Sequence, residues 1–167
     1  MVPPGRSAVT ASTAGPRWLV PLLTLVLAVL AGGAVTVAWP ILFPKVSHSL
    51  APDPACDLRA GDCRLVFPNG EGVVFRILPR DIPLIEPIQI QVELEGLQAR
   101  KVMVDFAGIG MNMGFNRPEL TAVAEGRFSG TARIPVCVRK RMDWEARVMV
   151  ETPEGLWVAP FRFYTLK

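Results

Sequence analysis

The chain has 167 residues and a mass of 18.2 kDa, enough for one domain and an appendage but short of two full cores. Half of its residues are hydrophobic, 20% are charged and the mean hydropathy is +0.33, which excludes a disordered chain and argues against an ordinary soluble one. The net charge of +3 is not a nucleic-acid signal: all 15 acids lie at or beyond Asp53, only Arg6, Arg17 and Lys45 among the bases precede it, and the remainder is neutral.

Residues 1–17 carry Arg6 and Arg17 without an acid and read as a cytoplasmic tail. From Trp18 to Phe43 runs an uncharged, almost wholly apolar stretch of 26 residues, where about 20 suffice to cross a hydrocarbon core as a helix. Trp18 and Trp39 lie near its ends, as interfacial aromatics do. The bias of positive charge places the N-terminus in the cytoplasm and the rest outside it, as a single-pass membrane protein. A cleaved signal peptide is the competing reading. Its apolar core would be shorter, and the small residues around Ala31 and Ala34 match a cleavage site poorly. An uncleaved anchor over 18–43 is therefore expected.

Residues 44–63 are expected to be an extended linker. The stretch from Lys45 to Leu58 holds two prolines, two serines and the only histidine, His48, which reads as solvated. Cys56 and Cys63 enclose six residues, and outside the cytoplasm a structural disulfide between them is the default. Their spacing fits neither a CxxC redox pair nor a zinc knuckle.

Residues 64–167 show short runs of period two broken by Gly and Pro. Ile88 to Glu95 puts four apolar residues on one face and four polar on the other; Val102, Val104 and Phe106 alternate with Lys101, Met103 and Asp105. Trp144, Ala146, Val148 and Val150 alternate with charged neighbours and Met149. Arg64–Phe67 and Val73–Leu78 flank a Pro68–Gly72 turn, Pro79–Pro87 reads as a crossing, and 127–137 and 156–165 complete the pattern. Seven or eight strands without a sustained helical period predict a mainly β fold, an immunoglobulin-like antiparallel β-sandwich beyond the transmembrane helix.

Enzyme chemistry has little to stand on. A Ser-His-Asp arrangement needs a histidine in the domain, no glycine-rich loop opens a helix, and the carboxylates sit beside arginines on strand exteriors. No catalytic residue is assigned. The segment Gly108 to Pro118 (GIGMNMGFNRP) differs from the rest: glycines surround Met111 and Met113, whose i, i+2 spacing puts both thioethers on one side of an extended backbone. Thioethers are soft ligands for Cu(I) and bind it without losing a proton. Cys137 would add a thiolate and Met142 a further thioether. The expected site is thus Met111, Met113, Cys137 and Met142 with Cu(I); packing of the methionines in the core is the alternative.

This layout resembles the small periplasmic YtkA-like and FixH-like proteins over roughly residues 85–165. The matching stretches are Met111–Gly114, Gly126–Gly130 and Trp144–Val150. The resemblance implies a bacterial inner-membrane location and copper handling, or support for assembly of a respiratory cytochrome oxidase, with the oxidase or its assembly factors as partners. The chain departs from the copper-binding variants in having no histidine near the methionines, and from FixH-like proteins in its CDLRAGDC element. A metal-free module that docks a membrane complex is the other function expected, with Arg139-Lys140-Arg141 as its basic run.

Overall fold

A computed structural model describes residues 18–42, 46–136 and 139–167. They fall into two compact units, 1–43 and 44–167, each taken by itself.

The first unit contains α1 (Leu19–Leu42), 24 residues with no acid in the first turn and no base in the last. At 1.5 Å per residue it is about 36 Å long, and the window Val20–Val37 has a mean hydropathy of 2.3 with none of it buried. Such a helix is long and apolar enough to cross a membrane. Pro21 lies within its first turn, where the missing N–H removes no internal bond. Thr24 and Thr36 return their hydroxyls to the carbonyls of Pro21 and Gly33, at 2.9 and 2.8 Å, which keeps two polar groups satisfied on an apolar rod.

The second unit is mainly β. Its strands are β1 (Val46–Ser49), β2 (Cys63–Val66), β3 (Gly72–Leu78), β4 (Pro87–Glu95), β5 (Lys101–Gly108), β6 (Glu119–Ala124), β7 (Arg127–Arg133), β8 (Arg141–Thr152) and β9 (Gly155–Leu166). They join in one nine-stranded sheet ordered β1-β9-β8-β5-β6-β7-β4-β3-β2, curled into a half-barrel. This differs from the two separate sheets expected. The reason lies in β6, whose Glu119 and Leu120 pair with β5 while Thr121 to Ala124 pair with β7, so one strand belongs to both halves. The curl brings distant strands together: Phe75 of β3 and Phe161 of β9 have ring centroids 5.3 Å apart.

The period-two runs build the core. Ile88, Ile90, Val92 and Leu94 of β4, Val102, Val104 and Phe106 of β5, and Trp144, Ala146, Val148 and Val150 of β8 are all buried on the inner face. Trp144 is fully buried and its indole N–H donates to the hydroxyl of Thr165 at 3.0 Å, so this core tryptophan carries no unmet donor.

Residues 46–63 are not an extended spacer. β1 pairs in parallel with β9, His48 stacks on Trp157 with centroids 4.0 Å apart, and Leu58 is fully buried in the core. The Cys56–Cys63 disulfide, Cα atoms 5.6 Å apart, closes the loop that carries Leu58. Arg76 and Arg80 both pair with Asp62 from outside, and Arg80 also donates to the carbonyls of Leu58 and Gly61, at 3.1 and 2.6 Å. The hydrogen bond from Arg76, followed by that from Arg80, outweighs the opposing effect of burial and holds the Asp62 carboxyl at about 2, below its ordinary 3.8. A segment with no periodicity is thus docked by one apolar plug, one covalent bond and one shared carboxylate.

Candidate functional site

The glycine-rich segment connects β5 to β6 and is tied down on both sides. At its start the Ile109 N–H donates to the Asp143 carbonyl of β8 at 2.9 Å. On the return, the N–H groups of Phe106 and Val104 donate to the carbonyls of Asn116 and Pro118, at 2.9 and 3.1 Å, so the loop lies back along β5. The Asn116 side chain donates to the Arg133 carbonyl at the end of β7. Between these ties the chain turns twice in the left-handed region, at Gly110 and Gly114, both with φ of 77°. Asn112 stabilises the second turn by accepting a hydrogen bond from the Gly114 N–H at 2.9 Å.

This backbone sorts the side chains. Met111 and Met113 are half-buried and pack against the core, while Asn112 and Gly114 between and after them are exposed. Met142, the second residue of β8, is buried at 3% exposure. The side chains of Met142 and Met113 and the backbone carbonyl of Met111 meet at Gly108, the last residue of β5. A Cβ placed on Gly108 would lie 2.7 Å from the Met142 methyl carbon, 2.9 Å from the Met111 carbonyl oxygen and 3.2 Å from Met113 Cγ. The absence of a side chain at 108 is what admits the two thioether chains to one place. Cys137, the fourth residue expected here, lies outside the described residues.

The outer side of the loop has different chemistry. Phe115 is 88% exposed, and the Arg117 guanidinium lies 4.9 Å from its ring centroid. Arg117 also reaches the Asp105 carboxylate at 2.9 Å, with Arg147 at 3.7 Å on the other side; the Asp105 side chain is only 8% exposed. One carboxylate on β5 therefore anchors the loop's returning limb to β8. Beside the start of the loop, a groove of about 410 Å³ is lined by Ile109, Arg141, Asp143, Arg162 and Tyr164 among others, with Arg141 stacked on Tyr164 at 4.1 Å.

Compared with known protein families, curated proteins and solved structures, the chain matches none.

The donors at Gly108 limit what the site can hold. Among the described residues there is no group of three or more His, Cys, Asp or Glu side chains, so a harder divalent ion has no cluster of ligands. Thioethers alone suit a soft, monovalent ion, and Met113 and Met142 are within reach of one another across Gly108. Met103 and Met149, which stand opposite each other across β5 and β8, are on the other face of the sheet from Met142 and do not join them. Sequence reasoning picked out the methionines but missed Gly108. Its signal was available: a glycine ending a strand directly before a glycine-rich loop marks a close approach.

Proposed function

We propose that this chain is a membrane-anchored protein with an extracytoplasmic, immunoglobulin-like domain that carries Cu(I) as cargo at a soft thioether site. The half-barrel is read as a variant of the sandwich in which β6 serves both halves. The observation that carries the functional reading is the meeting of Met113 and Met142 at Gly108, with Met111 held alongside by the same loop. Met113 also packs against the core, and what supports the reading is that two thioether chains converge at one glycine, one of them carried by a loop whose turns depend on glycine. Cys137, which lies outside the described residues, stays in the reading only as the thiolate donor expected from the sequence. With export across a bacterial inner membrane, the reading extends to copper supply during assembly of a respiratory oxidase, with the oxidase or its assembly factors as partners. It assigns no catalytic role and no nucleic-acid partner.

The test is Cu(I) titration of the full chain in detergent micelles under reductant, against a chromogenic Cu(I) chelator. Stoichiometric binding is expected, with loss of about tenfold or more in affinity for Met113→Leu/Met142→Leu, leucine keeping the volume while removing the sulfur. Unchanged affinity in that variant would sink the site.

A second reading rests on Phe115. A phenylalanine at 88% exposure, with the Arg117 guanidinium over its ring, suits a metal-free contact with a membrane protein. Capture of a partner from membranes that survives copper chelation and is lost in Phe115→Ser favours this reading.

A further inference from the structure

The basic run Arg139-Lys140-Arg141 leads into β8 beside the end of β9. The Lys167 N–H donates to the Lys140 carbonyl at 3.0 Å, and Arg141 stands opposite Leu166 in the ladder. Further back along β9, Tyr164 carries two guanidiniums against its ring, Arg141 at 4.1 Å and Arg59 at 5.0 Å. Arg59 comes from the docked segment between the cysteines and is held by the carbonyls of Asp81 and Tyr164, at 2.7 and 3.4 Å. Arg162 points to the same face of β9 as Tyr164, two residues away. A guanidinium stacked on an aromatic ring is fixed in place before any partner arrives.

Charge is not balanced at this end of the two strands. Among the described residues no carboxylate lies within ion-pair distance of Arg59, Arg139, Lys140 or Lys167. Arg141 reaches Asp143 at 3.1 Å, and Arg162 reaches Glu145 only at 3.6 Å, where Arg147 is the closer partner at 2.8 Å. The other acids nearby are Asp57, whose carboxylate accepts the Arg59 backbone N–H at 2.9 Å, and Asp81. The cations outnumber the acids here, although the stretch from Asp53 to Lys167 is neutral as a whole. The existing pairs are weak holds, because the side chains of Arg141, Asp143 and Arg162 are each more than half exposed. Their remaining N–H groups are open to a further acceptor.

Shape and charge together select the occupant. Arg141, Arg162 and Tyr164 line the groove beside the methionine loop, with exposed Ile109 and buried Phe163 as its apolar part. A bilayer surface is flat and would meet the cations without entering the groove. A dense row of phosphates would run into Asp57 and Asp143, which also line it. A polypeptide with carboxylates on either side of an apolar residue matches both the cations and Ile109.

We propose that this surface docks an acidic polypeptide segment of a partner protein, its carboxylates on Arg59, Arg139 and Lys140 and an apolar side chain beside Ile109. Ile109 is the first residue after β5, so the docked segment lies at the start of the methionine loop. The proposal does not rest on copper, and a failed Cu(I) titration leaves it standing.

The experiment uses the copper-free full chain in phosphatidylcholine nanodiscs and a dye-labelled peptide of Glu and Asp residues around a central Leu, followed by fluorescence anisotropy. Saturable binding is expected, and it should weaken as salt is raised from about 0.05 to about 0.5 M. Arg139→Ser/Lys140→Ser should lower the affinity about fivefold or more. Ile109→Ser, or a peptide with Ser in place of its Leu, should lower it about threefold. Arg100→Ser/Arg127→Ser removes the same charge from exposed positions at the other end of the strands and should leave binding unchanged. All these positions are exposed, so each variant keeps the fold. Equal losses from the two double variants would mean that only net charge is felt, and would overturn the proposal. So would the absence of peptide binding, including the case in which phosphatidylglycerol liposomes sediment the nanodiscs through Arg139 and Lys140, which assigns the patch to a membrane surface.

Discussion

Gly108→Ala is the sharpest probe of the methionine site, because one methyl group tests the geometry on which the functional reading rests. Gly108 does not occupy the left-handed region, so alanine brings no backbone strain. By itself the change would stabilise the protein by about 0.4–1 kcal/mol through the unfolded chain. Against this stands crowding. The new Cβ would sit 2.7 Å from the Met142 methyl and 3.2 Å from Met113 Cγ, and 2.9 Å from the Met111 carbonyl oxygen, which is backbone and moves only with the loop. Relieving such contacts in a packed interior costs about 1–3 kcal/mol, so a net destabilisation of roughly 0.5–2 kcal/mol is expected. Denaturant unfolding of the full chain in micelles, followed by tryptophan fluorescence, measures it. The decisive step is the double variant. Met142→Ala alone should cost about 2–5 kcal/mol, but it also removes the methyl that the new Cβ strikes. Gly108→Ala/Met142→Ala should therefore be more stable than the sum of the single changes implies, by about 1 kcal/mol. Strict additivity, or a Gly108→Ala protein more stable than wild type, would show that the methionines do not converge there. The Cu(I) affinity of Gly108→Ala should fall in parallel with the displacement of its two thioether chains.

Other expectations concern the frame around the site. Asp62 is held at about 2 in the folded state against an ordinary 3.8, so its contribution is present above about pH 4 and is lost as the pH falls through about 2. The full difference converts to about 2.5 kcal/mol, and solvent screening at a site this open reduces it to about 1. Asp62→Asn should therefore cost about 1 kcal/mol at pH 7, with the gap to wild type vanishing near pH 2 in a series of denaturant midpoints. Cys56→Ser/Cys63→Ser opens a loop of sequence separation 7 and should cost about 2–3 kcal/mol, read from the same unfolding curves with the wild type reduced as a second comparison. Thr165→Val leaves the Trp144 indole N–H unpaired at a fully buried position, for which about 1–3 kcal/mol is expected, with Thr165→Ser restoring most of it.

The strands were legible where one face is buried and the other wet. Ile88 to Glu95, the alternation around Val102 to Phe106, and Trp144 to Val150 all fall inside β4, β5 and β8, because period two records burial directly. β6 left little trace: among Glu119–Ala124 only Leu120 is buried, so the strand that joins the halves of the sheet carries no pattern of its own. Without it the topology reads as two sheets instead of one. β1 was hidden for a related reason. All four of its residues are exposed, and its place is decided by pairing with β9 and by His48 lying on Trp157, neither of which alternation can report. In the methionine loop, composition indicated the soft donors and the turns, whereas their meeting at Gly108 is a long-range contact between the ends of β5 and β8.

The parallel pairing of β1 with β9 has a mechanical meaning. β1 is the first strand of the domain and β9 the last, and they lie side by side running in the same direction. A pull applied at Val46 and at Leu166 would draw these neighbouring strands in opposite senses along their length. The ladder between them would then be loaded in shear, its bonds sharing the load, instead of being peeled apart one bond at a time. A strand of four exposed residues contributes little to the core, yet it lies in a ladder that a pull on the two ends of the domain would load in shear.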